Sequence, residues 1–306
     1  MNENIFLCRL KKVRKMSVFL FFLSLFISCE SPIIPDEKVE DLSMYITDVF
    51  EYIYAPGQHA QNRNSEEKDK FIGKPDVDLY LGGFGGYVVA GFDHNVPNVE
   101  GEYDFEIFSA GASPEPAIVY VMCDENNDGL PNETWYELKG SEHNNPETIR
   151  NYSLTYYKAK SDSANIFWKD SQGNAGELMS DYSGRYTSNW WWNEIKTDSI
   201  TLTGTRLPDA YINQPSENVP QNWIVPNSLF AWGYAENNRS EIDYDKTNKS
   251  NKFDISNAID ENGNPFKLEH IRFIKVQTAI FQRAGWLNEV SSEVKGARSL
   301  HYSEEK

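Results

Sequence analysis

Cysteine is nearly absent: three residues, Cys8, Cys29 and Cys123, serve 306 positions. Cys8 and Cys29 fall in an N-terminal segment that reads as export processing, so Cys123 has no partner for an internal disulfide and stability must come from an apolar core. Long apolar runs are missing too. The longest, Val18 to Ile27, is far short of the roughly 20 residues that span a bilayer as a helix. Basic charge is scarce, with 29 Lys and Arg against 46 Asp and Glu, a formal net charge of -17 and a pI near 4.7. A chain this acidic repels phosphate backbones, which excludes nucleic acid as a partner. The five histidines, His59, His94, His143, His270 and His301, show no HExxH or other paired metal spacing, and no GxSxG elbow occurs. No repeat of 20 to 50 residues is visible, which weighs against a propeller or solenoid.

What is present begins with the export segment. Arg9, Lys11, Lys12, Arg14 and Lys15 precede the apolar run, and the run stops at Ser28-Cys29. That order is basic region, apolar region, cleavage site. A Cys directly after a small residue at that point resembles the lipobox of bacterial lipoproteins, which are cleaved before the Cys that then carries the lipid. Phe26 stands where such boxes usually have Leu; a plain secretory signal is the alternative. Residues 1–28 are therefore expected to be the signal peptide, with Cys29 lipidated and the protein anchored at the outer membrane, displayed at the cell surface. Loss of this segment removes five basic residues and one acid, taking the charge from -17 to -21. Residues 29–45, with Pro32, Pro35 and many acids, read as a tether.

Residues 46–306 suit a single large domain. Aromatics make up 14% of the chain, with eight Trp and 17 Tyr, and such side chains favour pleated surfaces. Short β-type runs alternate with turn residues: Val77–Leu81, Tyr87–Phe92, Tyr103–Phe108, Ala117–Met122, Trp135–Leu138, Tyr152–Tyr157, Asn165–Trp168, Ser199–Leu202, Leu229–Tyr234 and Ile271–Ala279. The best helix signal, Phe253–Asp260, is stopped by Glu-Asn-Gly-Asn-Pro and supports one or two turns. Residues 59–70 are polar throughout and read as a loop. The expected fold is all-β: an antiparallel, jelly-roll-like sandwich with long loops and at most one or two short helices.

Three stretches bear on chemistry. Gly82-Gly83-Phe84-Gly85-Gly86 lacks the Lys-Ser/Thr of a P-loop and is followed by strand-type residues, so a tight turn is expected there rather than a nucleotide site. Asp124, Asn126, Asp128, Leu130 through its carbonyl, Asn132 and Glu133 alternate oxygen donors around Gly129, as a hard cation such as Ca²⁺ requires. The match is to the first half of an EF-hand-type loop, since Trp135 stands at the twelfth position. A metal-free turn uses the same residue types. Trp190, Trp191 and Trp192, read as strand, cannot share one face, so at least one is expected to meet solvent or a ring-bearing ligand. Cys123 ends an apolar run and reads as a small buried hydrophobe.

Three blocks together resemble a known family: Leu81 to Asp93, Pro114 through Asp124 to Leu138, and Ile271 through Gly285-Trp-Leu-Asn-Glu289 to Ala297. They are similar to cell-surface lipoproteins of gut Bacteroidota, labelled "cell surface protein" or PKD-like, some encoded beside corrinoid (vitamin B12) uptake genes. The resemblance implies a jelly-roll-like sandwich, metal ligands carried at Asp124 to Asn132, and a role for Glu289 and Glu293 at the same site or another loop end. Between Ala110 and Pro114 this chain is shorter than the family's loop. The function expected is capture of an extracellular nutrient, a corrinoid or a glycan, possible help to a TonB-dependent transporter included. A glycan-active hydrolase or lyase and a structural adhesion module are the alternatives.

The anchor is directly testable. Cys29→Ala is expected to abolish labelled-palmitate incorporation and release the protein from membranes, because stable anchoring needs the acyl chains that this residue would carry. Unchanged labelling places the anchor elsewhere.

Overall fold

A computed structural model describes residues 44–111, 113–178, 189–214, 223–224, 229–284 and 289–302. The expected signal segment and Cys29 lie outside them, as does the tether apart from Met44 and Tyr45. In chain order the first strands are β1 (Asp48–Ile53), β2 (Leu79–Tyr80), β3 (Tyr87–Pro97), β4 (Phe105–Ser109), β5 (Ala117–Met122) and β6 (Tyr136–Leu138). Next come β7 (Ile149–Tyr157), β8 (Ile166–Asp170), β9 (Ala175–Leu178), β10 (Ser199–Arg206), β11 (Ile212–Asn213) and β12 (Trp223–Ile224). The last are β13 (Tyr244–Asp245), β14 (Ser250–Phe253), β15 (Ala258–Ile259), β16 (His270–Thr278) and β17 (Glu293–Ser299). Among the described residues helix is confined to three 3-10 turns, at Ala60–Asn62, Ser65–Phe71 and Ile255–Asn257.

The all-β expectation holds. Three larger sheets form, ordered β1-β3-β16-β5-β6-β15, β13-β14-β4-β17-β2 and β10-β7-β8-β9, with antiparallel pairing between all named neighbours. One apolar cluster takes Ala90, Val119, Val121, Ile274 and Val276 from the first sheet, Phe105, Ile107, Val294 and Ala297 from the second, and Tyr152, Leu154, Tyr156 and Leu202 from the third. The sheets therefore pack face to face as a sandwich-like body around a shared core. β16 sits between β3 and β5, and its alternation explains the placement: Ile274 and Val276 enter the core while Lys275 faces the other way, over the rings of Tyr87 and Tyr120.

Several expectations need correction. The segment 59–70 is not a plain loop, because Asn64 caps Ser65–Phe71 through a hydrogen bond from Glu66 N and Phe71 is fully buried beneath it. Leu229–Tyr234 is not a strand: Gly233 adopts φ +92° and its N–H is held by the Asp243 carboxylate, which breaks any ladder. The helix signal at Phe253–Asp260, expected to give one or two turns, does give one 3-10 turn after β14, Ile255–Asn257, capped by Asp254.

The tryptophan triplet is the largest correction. Residues 189–198 follow an irregular path, not a strand, so period-two alternation does not apply. Trp190, Trp191 and Trp192 are 2%, 1% and 2% exposed, and none meets solvent. An Asx turn from Asn189 to Trp191 N starts the segment, Trp190 O accepts from Gly57 N, and the indole N–H groups of Trp191 and Trp192 donate to Ile195 O and Arg63 O. Trp192 also packs edge-on against Tyr52. The triplet fastens a connection to the core, and its residues present no open ring face for stacking.

Such packing predicts a stability effect. Trp191→Ala is expected to cost about 3–5 kcal/mol, the range for removing a buried large aromatic, read as a fall in the urea midpoint at unchanged m-value. A change below about 1 kcal/mol would contradict this placement.

Candidate functional site

The clearest concave surface that carries aromatic side chains lies where the glycine turn meets β7, β8, β9 and the segment after β16. Its formation starts with backbone geometry. Gly82 and Gly85 take φ values of +77° and +86°, and a Cβ at Gly86 would lie 1.8 Å from Leu81 O. Only glycine permits so tight a turn. The turn is pinned to the end of β16: Gly85 N donates to Thr278 O, Thr278 N donates to Gly86 O, and the Gln277 amide donates to Gly85 O. Phe84 at its apex is thereby fixed, with its carbonyl accepting from Tyr156 Oη at 2.9 Å.

The cleft beside Phe84 has a volume of about 190 Å³. Trp168 and Phe281, both half-buried, meet edge to face with centroids 5.0 Å apart and supply its aromatic wall. Trp168 lies against Gly176, where an added Cβ would come within 2.8 Å of the indole. Polar groups converge on the same space from Glu177, Gln282, Arg283 and Glu289. Burial pushes the Glu289 carboxyl up to about 8, against hydrogen bonds from Gln58 N to both of its oxygens at 2.9 Å. At neutral pH Glu289 is thus mainly a carboxylic acid able to donate a proton in a hydrogen bond. An aromatic wall with a few convergent polar groups is the composition of a small-molecule site. The volume is below the roughly 300–1,000 Å³ that encloses a drug-sized molecule, and suits a single ring.

A second cleft, also of about 190 Å³, opens on the outer face of the six-stranded sheet near Tyr120, Glu137, Arg150 and Lys275. Burial lowers the Lys275 ammonium to about 8, while Glu137, also buried, is shifted upward. Trp135 lines it as well, and its lining is more polar than that of the first cleft.

The acidic loop keeps its residues together. Oxygens of Asp124, Asp128 and Glu133 lie within 4.8 Å of one another. The loop is nonetheless well supplied with its own donors: Asp124 accepts from Asp128 N and Gly129 N, and Asp128 accepts from Leu130 N and from the amides of Asn126 and Asn132. Arg272 stands 3.4 Å from Asp124. Glu133 Oε2 is buried with no hydrogen-bond partner, so one oxygen remains for a cation. Leu130, half exposed, gives its carbonyl to Asn132 N. The arrangement is an Asx-type turn that would have to rotate Asn126 and Asn132 to offer oxygens inward.

Cys123, expected to be a small buried hydrophobe, is only half-buried, and its thiol donates to His270 O. Trp168 was visible in the sequence only as one aromatic among many, and Phe84 only as part of a turn. Glu289 and Glu293 do not join the Asp124 loop; Glu289 lines the cleft and Glu293 opens β17. Comparison with family models gives no match for this chain, and comparison with curated proteins gives none.

Proposed function

We propose that this chain is a lipid-anchored, cell-surface binding protein that captures a ring-bearing extracellular nutrient, with a sugar ring as the unit held, and passes it to an outer-membrane importer of the TonB-dependent kind. The cleft walled by Trp168 and Phe281 carries the reading. Apolar ring faces stack there, while Glu177, Arg283 and Glu289 offer hydrogen bonds to hydroxyls at the edge. Stacking on Trp168 removes apolar area from both partners, worth about 25 cal/mol per Å² before association costs. A corrinoid macrocycle is too large for the space and would have to lie across its mouth. The lipobox-like Ser28-Cys29 and the resemblance to Bacteroidota surface lipoproteins support the location.

Isothermal titration of the full chain in detergent against a glycan panel and cyanocobalamin tests the reading. Binding is expected to quench tryptophan fluorescence, and Trp168→Ala is expected to weaken affinity at least tenfold, about 1.4 kcal/mol, without lowering the melting temperature by more than a few degrees. Unchanged affinity in that variant moves the site elsewhere. A second reading, a glycan-active hydrolase, draws on Glu289, whose proton at neutral pH is what a general acid needs. Product released in the titration mixture, and lost in Glu289→Gln, would favour it.

The Asp124–Glu133 loop is proposed as a weak calcium site, suited to the millimolar calcium outside cells. Calcium bound only to the folded state raises the melting temperature by mass action. Asp124→Ala with Asp128→Ala is expected to shrink the rise seen between EDTA and millimolar calcium. An unchanged rise makes the loop a turn alone.

A further inference from the structure

Three glutamates from distant parts of the chain converge at the end of the five-stranded sheet. Glu115 precedes β5, Glu236 follows the irregular segment 229–235, and Glu293 opens β17. The backbone stitches these segments together. Glu115 N donates to Glu236 O, Ala117 and Ala235 exchange N–H···O bonds, Ser292 Oγ donates to Glu115 O, and Glu293 N donates to Glu236 Oε2. Each of the three offers a carboxylate oxygen, and these oxygens lie within 4.8 Å of one another.

A crowd of carboxylates alone proves little, but Glu236 adds a separate observation. Its residue is 0% exposed, and while Oε2 has its backbone donor, Oε1 is buried with no hydrogen-bond partner. An ionised oxygen left so costs several kcal/mol in a dry site, so the carboxyl either keeps its proton or is answered by a cation. Nearby basic side chains have other commitments: Arg63 pairs with Glu67 at 3.1 Å and lies over the Tyr80 ring, and Lys295 pairs with Asp78 at 3.4 Å. Glu115 and Glu293 are only half-buried, so the floor formed by Glu236 is reached past two more carboxylates.

We propose that Glu115, Glu236 and Glu293 form a divalent-cation site, separate from the Asp124 loop, with Ca²⁺ as the ion that fits. The donor set is all hard oxygen, which selects Ca²⁺, Mg²⁺ or Mn²⁺ over softer metals. Coordination geometry then discriminates. Mg²⁺ demands a near-ideal octahedron and keeps several of its waters, whereas Ca²⁺ accepts an irregular set of carboxylates, which is what three glutamates placed by separate backbone segments provide. Bound there, the ion ties the start of β5 and the start of β17 to the 229–236 segment, so it acts as a structural clamp.

Equilibrium dialysis with radioactive calcium and thermal melts of the full chain in detergent separate this site from the loop. The Asp124→Ala, Asp128→Ala variant is expected to keep one bound calcium per chain and part of the calcium-induced rise in melting temperature. Adding Glu236→Gln, which preserves shape and removes the charge, is expected to eliminate both while leaving a cooperative melt in EDTA. Should that variant melt without a cooperative transition, Glu115→Gln at the rim gives the same reading. A loop variant that binds no calcium, or a bound ion that survives Glu236→Gln or Glu115→Gln, overturns the proposal. Ligand affinity at the Trp168 cleft is measured separately, so failure of either assignment leaves the other standing.

Discussion

The hydrogen-bonded clamp between the Gly82–Gly86 turn and the end of β16 is the constraint on which the described architecture turns. Thr278 both gives and receives a backbone bond there, its hydroxyl donates to Gly82 O, and Gln277 reaches Gly85 O with its amide. β16 is one of the two central strands of the six-stranded sheet, so anything fixed to its end is fixed to the core. Phe84 is held in this way on one side of the cleft. The chain leaving β16 supplies Phe281, Arg283 and Glu289 on the same cleft and reaches Glu293 where β17 begins. Side chains on such a support need little reordering when a ligand arrives, which lowers the entropic cost of binding.

Buried carboxylates need hydrogen-bonding partners, and the five-stranded sheet illustrates how they are supplied. Glu106 is 0% exposed on β4, yet its carboxylate accepts from Arg298 across the strand pair and from Ser250 Oγ on the other neighbour. Asp104, equally buried, accepts from Val99 N, Ile255 N and His301 Nε2. Each carboxylate joins segments far apart in sequence. Removing one partner from such a pair costs more than the pair contributes, because the remaining charge stays buried. These networks specify which strands meet while the apolar cluster supplies most of the free energy.

Much of the strand pattern was legible from local sequence. Ala117–Met122 and Ile271–Ala279 are dense in β-branched residues and bounded by turn signals, and they form β5 and β16 within a residue or two. β1 and β17 were missed because their patterns are interrupted. β1 carries a bulge between Val49 and Glu51, and β17 carries Lys295, Arg298 and a Gly296 at φ +138° within seven residues. The tryptophan triplet misled for a different reason. Alternation is a rule about strands, and an irregular segment can turn three successive rings inward if its backbone groups find partners, as Asn189 and Gly57 provide.

The candidate sites were less legible than the fold, and the reason is sequence distance. The Asp124 loop could be read because its oxygens lie within ten consecutive residues. The aromatic cleft draws Phe84, Trp168 and Phe281 from three separate elements, and the glutamate cluster draws residues 115, 236 and 293 from three others. No spacing rule connects such positions, since what brings them together is strand pairing between β3, β5 and β16 in one sheet and β4 and β17 in another. Local motifs also tend to satisfy themselves, as the Asn126 and Asn132 amides do for Asp128. Assembled sites gather groups whose own neighbours in sequence cannot answer them. The orphaned oxygen on the fully buried Glu236 points to a ligand as the one on Glu133 does in the acidic loop, although nothing in the residues flanking Glu236 announces the fact.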